Sequence, residues 1–258
     1  MAPPALKGAP LPATPIKTVL LVVALQAEAA PLVKDLNLKE DTSGLFPAGV
    51  PWVKFSGEYK SMKVHLVTPG VDAIHGVDAV CTVPASLLTF SSVQLFKPDL
   101  IINCGTAGGF QKKGAEIGDV YLISETAFHD RRNMLPGFDN YGIGALAATP
   151  VPKLVSHLNL KVGVLTTGDS LDHVDKDDEV MENNNATVKD MEGAAIAYVA
   201  DLLTTPLILL KGVTDIVDSP AATEEEFLLN LQSAAKAIQT TVTSALDFLS
   251  LKNLSDLQ

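Results

Sequence analysis

The chain has 258 residues and a mass of 27.2 kDa. That length predicts one large domain or two small ones, able to bury about 70–75% of the unfolded surface without disulfides or metal. A hydrophobic content of 47%, a charged content of 19% and a mean hydropathy of +0.25 exclude intrinsic disorder. With 19 Lys and Arg against 30 Asp and Glu the net charge is −11, and Arg131 and Arg132 are the only arginines. Such a field repels phosphate backbones and anionic lipid, so neither nucleic acid nor a membrane surface is an expected partner.

Pro3, Pro4, Pro10, Pro12 and Pro15, separated mostly by small residues, make residues 1–16 read as a disordered Pro/Ala-rich tail ahead of a single domain over 17–258. Lys17, the apolar run from Val19 to Leu25 and Ala27 imitate a secretory signal, while the same run reads equally as the buried first strand of a parallel sheet. The absence of any arginine before Arg131 and any serine before Ser43 argues against a transit peptide. No apolar run approaches the about 20 residues of a membrane span.

Strands are predicted over 18–25, 52–55, 63–68, 100–103, 120–125, 162–165 and 207–213. A helix is predicted over about 192–203, with Ile196, Val199 and Leu203 on one side. A second follows from the stripe Phe227, Leu231, Ala234, Ile238, Val242, Leu246 and Leu249, with Thr223 and Glu226 as a capping box. Strands alternating with helices give an α/β fold with a parallel or mixed sheet. Cys81 and Cys104 lie in apolar stretches and read as small hydrophobes rather than a disulfide, which favours a reducing compartment.

Three segments carry possible chemistry. Gly105-Thr106-Ala107-Gly108-Gly109 follows a strand directly, so its backbone is free to turn sharply or to let a ligand come close; it matches neither dinucleotide nor triphosphate loops. Asp190-Met191-Glu192-Gly193 opens a helix, where Glu192 either complements the helix dipole or serves a site. Asp215 stands at the carboxyl edge of a strand, the edge where open α/β sheets bind ligands, and Asp218 beyond it reads as a turn cap. Glu28, just past the first strand, reads either as a surface acid beginning a helix or as a third carboxylate at the same edge.

The strings Ala24 to Glu28, Asn103 to Gly109, Phe128 to Asp130, Thr167 to Asp169, Asp190 to Gly193 and Thr214 to Asp218 occur in the order found in the 5'-methylthioadenosine nucleosidases, especially those of plants. The chain resembles that branch of the nucleoside phosphorylase and nucleosidase superfamily from about Lys17 onward. The resemblance implies a single-domain three-layer α/β/α sandwich with a central mixed sheet. It also implies hydrolysis of methylthioadenosine to adenine and methylthioribose, a step of methionine salvage, in the cytoplasm and without cofactor or metal. Under it Asp215 is the acid that protonates adenine, Glu28 the base on the attacking water and Glu192 the grip on the ribose hydroxyls. Met191 packs on the sugar, and Leu171 and the Asp172 backbone line the purine pocket. Thr106, Ala107, Gly108, Thr214 and Val71 join the nucleoside contacts. A homodimer is implied, with Phe128 and His129 closing the neighbouring subunit's pocket.

These residue types suit the reaction. Breaking an N-glycosidic bond leaves positive charge on the sugar, which flanking carboxylates stabilise, and a leaving base that needs a proton. An ordinary aspartic acid is protonated only about one part in a thousand at pH 7, so the acid has to be buried. Phosphorolysis is the competing reaction, but it usually recruits arginines, of which this chain has two beside His129. A non-catalytic storage or nucleoside-binding protein on the same fold is the other alternative. His65, His75, His129, His157 and His173 lack metal-ligand spacing and read as surface or hydrogen-bonded side chains. The segment from about Asp172 to Thr187, including Asn183 to Asn185, departs from the family strings and is expected to shape the thioalkyl pocket. Cleavage of S-adenosylhomocysteine is left open.

Overall fold

The computed structural model describes residues 10–133, 135–219 and 223–258. Its strands are β1 (Thr18–Val22), β2 (Lys39–Glu40), β3 (Val53–Tyr59), β4 (Met62–Thr68), β5 (Leu100–Gly109), β6 (Val120–Phe128), β7 (Leu146–Ala147), β8 (Lys161–Thr167), β9 (Val188–Asp190) and β10 (Leu207–Ile216). The helices are α1 (Gln26–Asp35), α2 (Thr82–Phe96), α3 (Asp139–Ile143), α4 (Pro152–Leu158), α5 (Asp175–Asn183), α6 (Gly193–Leu202) and α7 (Thr223–Leu249).

Strand alternation builds the layers. Val19, Leu21 and Val23 point into one core cluster with α1, α4 and α7 residues, while Leu20 and Val22 point into another with α2 and α6 residues. The same period of two sorts β5 and β10, so one mixed sheet carries helices on both faces. The apolar run after Lys17 is thus the heart of the sheet, with β1 parallel to both β4 and β5.

The sheet also folds back on itself. β10 pairs with β5 in parallel and β6 in antiparallel fashion, and β6, β8, β9 and β5 complete a five-strand ring. From β5 the open part runs on through β1, β4, β3 and β2. The C-terminal ends of β1, β5 and β10 therefore meet at one rim, where α1 and α6 begin.

Several expected boundaries move. The predicted strands over 100–103 and 207–213 continue to Gly109 and Ile216, so the glycine segment is strand rather than turn. The stretch 172–187 contains α5 and leads into β9, and none of its residues lines the cavity at that rim. Its acidic first turn, Asp175, Asp177 and Asp178, suits a helix N-terminus, which a reading of the run as loop misses. Of the expected tail, residues 1–9 lie outside the described part. From Leu11 onward the chain docks on the C-terminus: Leu11 N–H donates to Gln258, Ile16 N–H to the Lys252 carbonyl, and Pro15 bridges Asn253. Glu226 turns to accept the Ile216 N–H at 3.0 Å, tying α7 to the end of β10.

Candidate active site

At that rim lies a cavity of about 300 Å³, lined by Glu28, Glu192 and Asp215 together with Met191, Leu171, Thr106, Ala107, Gly108 and Thr214. The three carboxylates proposed from separate strings thus share one space, and each reaches it by a different local device.

Glu28 sits in the first turn of α1, yet it is buried rather than a surface acid. Its Oε1 accepts the Thr106 N–H and the Thr106 hydroxyl, both at 2.6 Å, and Oε2 accepts the Leu25 N–H at 3.3 Å. Gly105 permits this approach, because a Cβ there would stand 3.1 Å from Glu28 Oε2. Asp215 is brought in by an irregularity in the β10–β5 register between Val213 and Asp215. It rests over Gly108, where a Cβ would lie 2.8 Å from Asp215 Oδ2 and 2.6 Å from Val217. Its hydrogen bond comes from the neighbouring Thr214 hydroxyl at 2.7 Å. The glycines are there for close approach of carboxylates to a strand, not for a turn.

Glu192 occupies the N-cap position of α6 but makes no side-chain cap to it. Its Oε1 instead accepts the Cys81 N–H at 2.9 Å, from the residue just before α2. Cys81 has φ +83° and ψ 176°, a conformation that favours glycine and costs a bulkier residue about 1–3 kcal/mol.

Two buried lysines complete the electrostatics: Lys211, inside the predicted strand and ahead of the string that ends in Asp218, and Lys189, which belongs to no string. Lys211 pairs with Asp190 at 2.8 Å, both about 2% exposed. Asp190 also accepts the Thr167 hydroxyl at 2.6 Å and the Gly193 N–H at 2.9 Å. Lys189 donates to the Ser170 and Leu171 carbonyls at 2.8 and 2.7 Å and so pins the loop that turns Leu171 inward. Their only sequence signal is position, a lysine within or beside an otherwise apolar strand at the ligand edge.

Burial raises the Glu28 carboxyl above its ordinary range, against the opposing Thr106 hydrogen bonds. Burial likewise raises Asp215, against the Thr214 hydroxyl and Lys189 and with help from Glu226. Burial, joined by the Asp190 charge, pushes Glu192 up to about 7. Burial would lower Lys211, but Asp190, Glu192 and Glu28 outweigh it and hold the ammonium above its usual value. Lys189 is lowered by burial.

Val71 and Asp172, expected among the nucleoside contacts, fall outside the cavity, and so do Phe128 and His129, which the resemblance assigns to the neighbouring subunit's pocket. Phe128 and His129 are buried in their own chain, with the His129 ring against Thr166 and over Gly168. Val71 is bridged to Asp78 on the surface, and it is Val80 from the same loop that lines the cavity. Asp172 is exposed beside Leu171. Asp218 is a cap as expected, accepting the Gln111 and Lys112 N–H groups. The two arginines are engaged elsewhere: Arg132 pairs with Asp177, and Arg131 stacks on Phe128 and Tyr141. Among the described residues no group of three or more His, Cys, Asp or Glu side chains is arranged to hold a metal ion.

A ringed mixed sheet with carboxylates gathered at its rim places the chain in a broad class, and the model of the phosphorylase superfamily matches residues 18–247. Two proteins of Arabidopsis thaliana are each 52% identical over 243 residues, covering 94% of this chain. They are a 5'-methylthioadenosine nucleosidase, covered over 91% of its length, and a 5'-methylthioadenosine/S-adenosylhomocysteine nucleosidase, covered over 96%. The apo structure of the Arabidopsis thaliana 5'-methylthioadenosine nucleosidase superposes with a TM-score of 0.93 at 52% identity, over 94% of this chain and 100% of that one. The chain belongs to the phosphorylase superfamily and, within it, to the 5'-methylthioadenosine nucleosidases.

Proposed function

We propose that this protein hydrolyses the N-glycosidic bond of 5'-methylthioadenosine, releasing adenine and methylthioribose for methionine salvage. The observation that carries the reading is the meeting of Glu28, Glu192 and Asp215 in one cavity with three different sets of donors. Glu28 collects three donors, a set that suits an ionised acceptor, and its raised pKa makes it a better base toward a water. Asp215 has one hydroxyl donor in buried surroundings and the negative Glu226 nearby, conditions that favour a neutral acid able to protonate the leaving purine. Glu192 faces the same space and grips the ribose hydroxyls, whose donation draws it toward the charged form. Positive charge developing on the sugar is then stabilised between carboxylates.

Water is favoured over phosphate as nucleophile. Four carboxyl groups, those of Glu28, Asp190, Glu192 and Asp215, line the cavity against two ammonium groups, and one of these is tied to Asp190 while the other holds backbone carbonyls. Such a site opposes an anionic co-substrate. Around the carboxylates the described lining includes the apolar Leu25, Val80, Leu171, Met191, Val217 and Phe227, which suit a methylthio group better than a charged amino-acid tail. S-Adenosylhomocysteine is accordingly a poor substrate.

The protein acts as a homodimer in the cytoplasm. Val83, Leu87 and Phe90 form an exposed apolar stripe on α2, and Tyr198 and Leu202 are exposed on α6, which packs beside α2. Leu135, Phe138 and Tyr141 give the segment after His129 an exposed apolar surface that a neighbouring subunit covers. Cys81 and Cys104 are free thiols, in keeping with a reducing compartment. Incubation with methylthioadenosine in phosphate-free buffer tests the reaction. Release of adenine and free methylthioribose supports it, and turnover only with added phosphate, or none, refutes it.

A further inference from the structure

The Cys81 N–H that meets Glu192 is supplied by a backbone conformation that does not hold itself. Cys81 lies at φ +83°, and as the N-cap of α2 it provides no side-chain cap. The first residue of α2, Thr82, is instead gripped from another part of the chain. Asp169, in the loop after β8, accepts the Thr82 N–H on Oδ1 and the Thr82 hydroxyl on Oδ2, both at 2.7 Å. Asp169 is itself anchored, donating its N–H to Asp130 Oδ2 at 2.6 Å. Its carbonyl oxygen lies 3.8 Å from the Cys81 sulfur. Neither Asp169 nor Cys81 lines the cavity.

We infer that Asp169, steadied by Asp130, is a positioning residue that clamps Thr82, holds Cys81 in its left-handed conformation and so aims the Cys81 N–H at the carboxylate of Glu192. This rests on the reading of Glu192 as the ribose grip. A carboxylate fixed by a backbone donor meets the sugar in one orientation, whereas a freed one rotates and loses affinity before it loses chemistry. The series Asp130, Asp169, Thr82, Cys81 and Glu192 links the edge of the protein to the sugar site through successive hydrogen bonds and the Thr82–Cys81 peptide.

The clamp also bears on ionisation. Glu192 faces Asp190 from β9, Lys211 from β10, Glu28 from α1 and the Cys81 backbone and thiol ahead of α2. Lys211 and the Cys81 N–H favour its charged form, while burial, Asp190 and Glu28 oppose it. Withdrawing the N–H leaves Lys211 alone on the favourable side, so Glu192 ionises at higher pH.

Steady-state kinetics of Asp169→Ala, Cys81→Gly and the double variant, measured with methylthioadenosine from pH 5 to 9, test the inference. Asp169→Ala is expected to raise KM about tenfold, the size of one charge-assisted hydrogen bond, with kcat changed far less. The acid limb of its kcat/KM profile moves to higher pH, which a merely structural role does not produce. Cys81→Gly is the single-variant reference against which the double variant is read, because glycine takes the conformation without strain. In the double variant the same freedom recovers most of the lost affinity. Thr82→Val, which removes only the hydroxyl contact, gives an intermediate KM and serves if Asp169→Ala fails to fold. Wild-type KM and pH profile in both Asp169→Ala and Thr82→Val overturn the inference, as does a double variant no better than Asp169→Ala. If the wild type itself releases no adenine, it is the reading of the site that fails. The clamp is then read from the Glu192 carboxyl band by infrared difference spectroscopy, where an unshifted titration in Asp169→Ala overturns it.

Discussion

Replacing Glu192 by glutamine is expected to stabilise the unliganded protein above neutral pH, because the fold holds this carboxyl against its own ionisation. In the folded chain it titrates at about 7, against a reference value of 4.5. The folded state therefore binds the proton more tightly than the unfolded one, and stability from this group is lost as pH rises from 4.5 through 7. Above 7 the loss is complete and amounts to about 3 kcal/mol. The residue is only 9% exposed, so solvent screening reduces the loss little. The amide of Glu192→Gln keeps an oxygen for the Cys81 N–H and carries no charge to desolvate. By urea unfolding the variant gains about 3 kcal/mol over wild type at pH 8 and under about 1 kcal/mol at pH 5, with a rise of roughly 6–12 °C in Tm at pH 8. It loses affinity for the nucleoside in exchange, since the ribose hydroxyls then meet an amide. A gain of equal size at both pH values, or none at pH 8, refutes the electrostatic reasoning.

Two further substitutions probe the supports of the site. Gly108→Ala places a methyl 2.8 Å from Asp215 Oδ2 and is expected to lower kcat by at least about tenfold through displacement of the acid, while circular dichroism shows the fold intact; unchanged kcat contradicts the close approach. Lys211→Met leaves Asp190 buried without its ammonium partner, and the Thr167 and Gly193 donors that remain place the expected loss near about 3 kcal/mol by urea unfolding; a loss under about 1 kcal/mol contradicts the pairing.

The strands and the three carboxylates are legible because each leaves a local trace. Buried strands show as short apolar runs, and Glu28, Glu192 and Asp215 stand where such runs end or a helix begins. Their convergence, by contrast, depends on closure of the sheet through the pairing of β10 with both β5 and β6, which no local pattern encodes. The glycines of β5 read as a turn because glycine normally marks one. Here strand pairing with β10 overrides that preference, and the missing side chains make room for Glu28 and Asp215. The three-residue β9 is too short to show a period, which hides Lys189 and leaves Asp190 visible only as the start of a string rather than as a strand residue. Lys211 falls inside the predicted strand over 207–213, but its burial and its pairing with Asp190 follow from β10 lying between β5 and β6, which no local pattern shows. Phe128 and His129 carry the family string, but within one chain their side chains point into the chain's own core.

The proposed reaction requires Asp215 to give its proton to the departing purine, and Asp215→Asn tests this most directly, with methylthioadenosine binding measured by calorimetry alongside adenine release. Retained binding with turnover reduced by at least about 10²-fold is the predicted result; turnover at the wild-type rate contradicts it and removes Asp215 from the reaction.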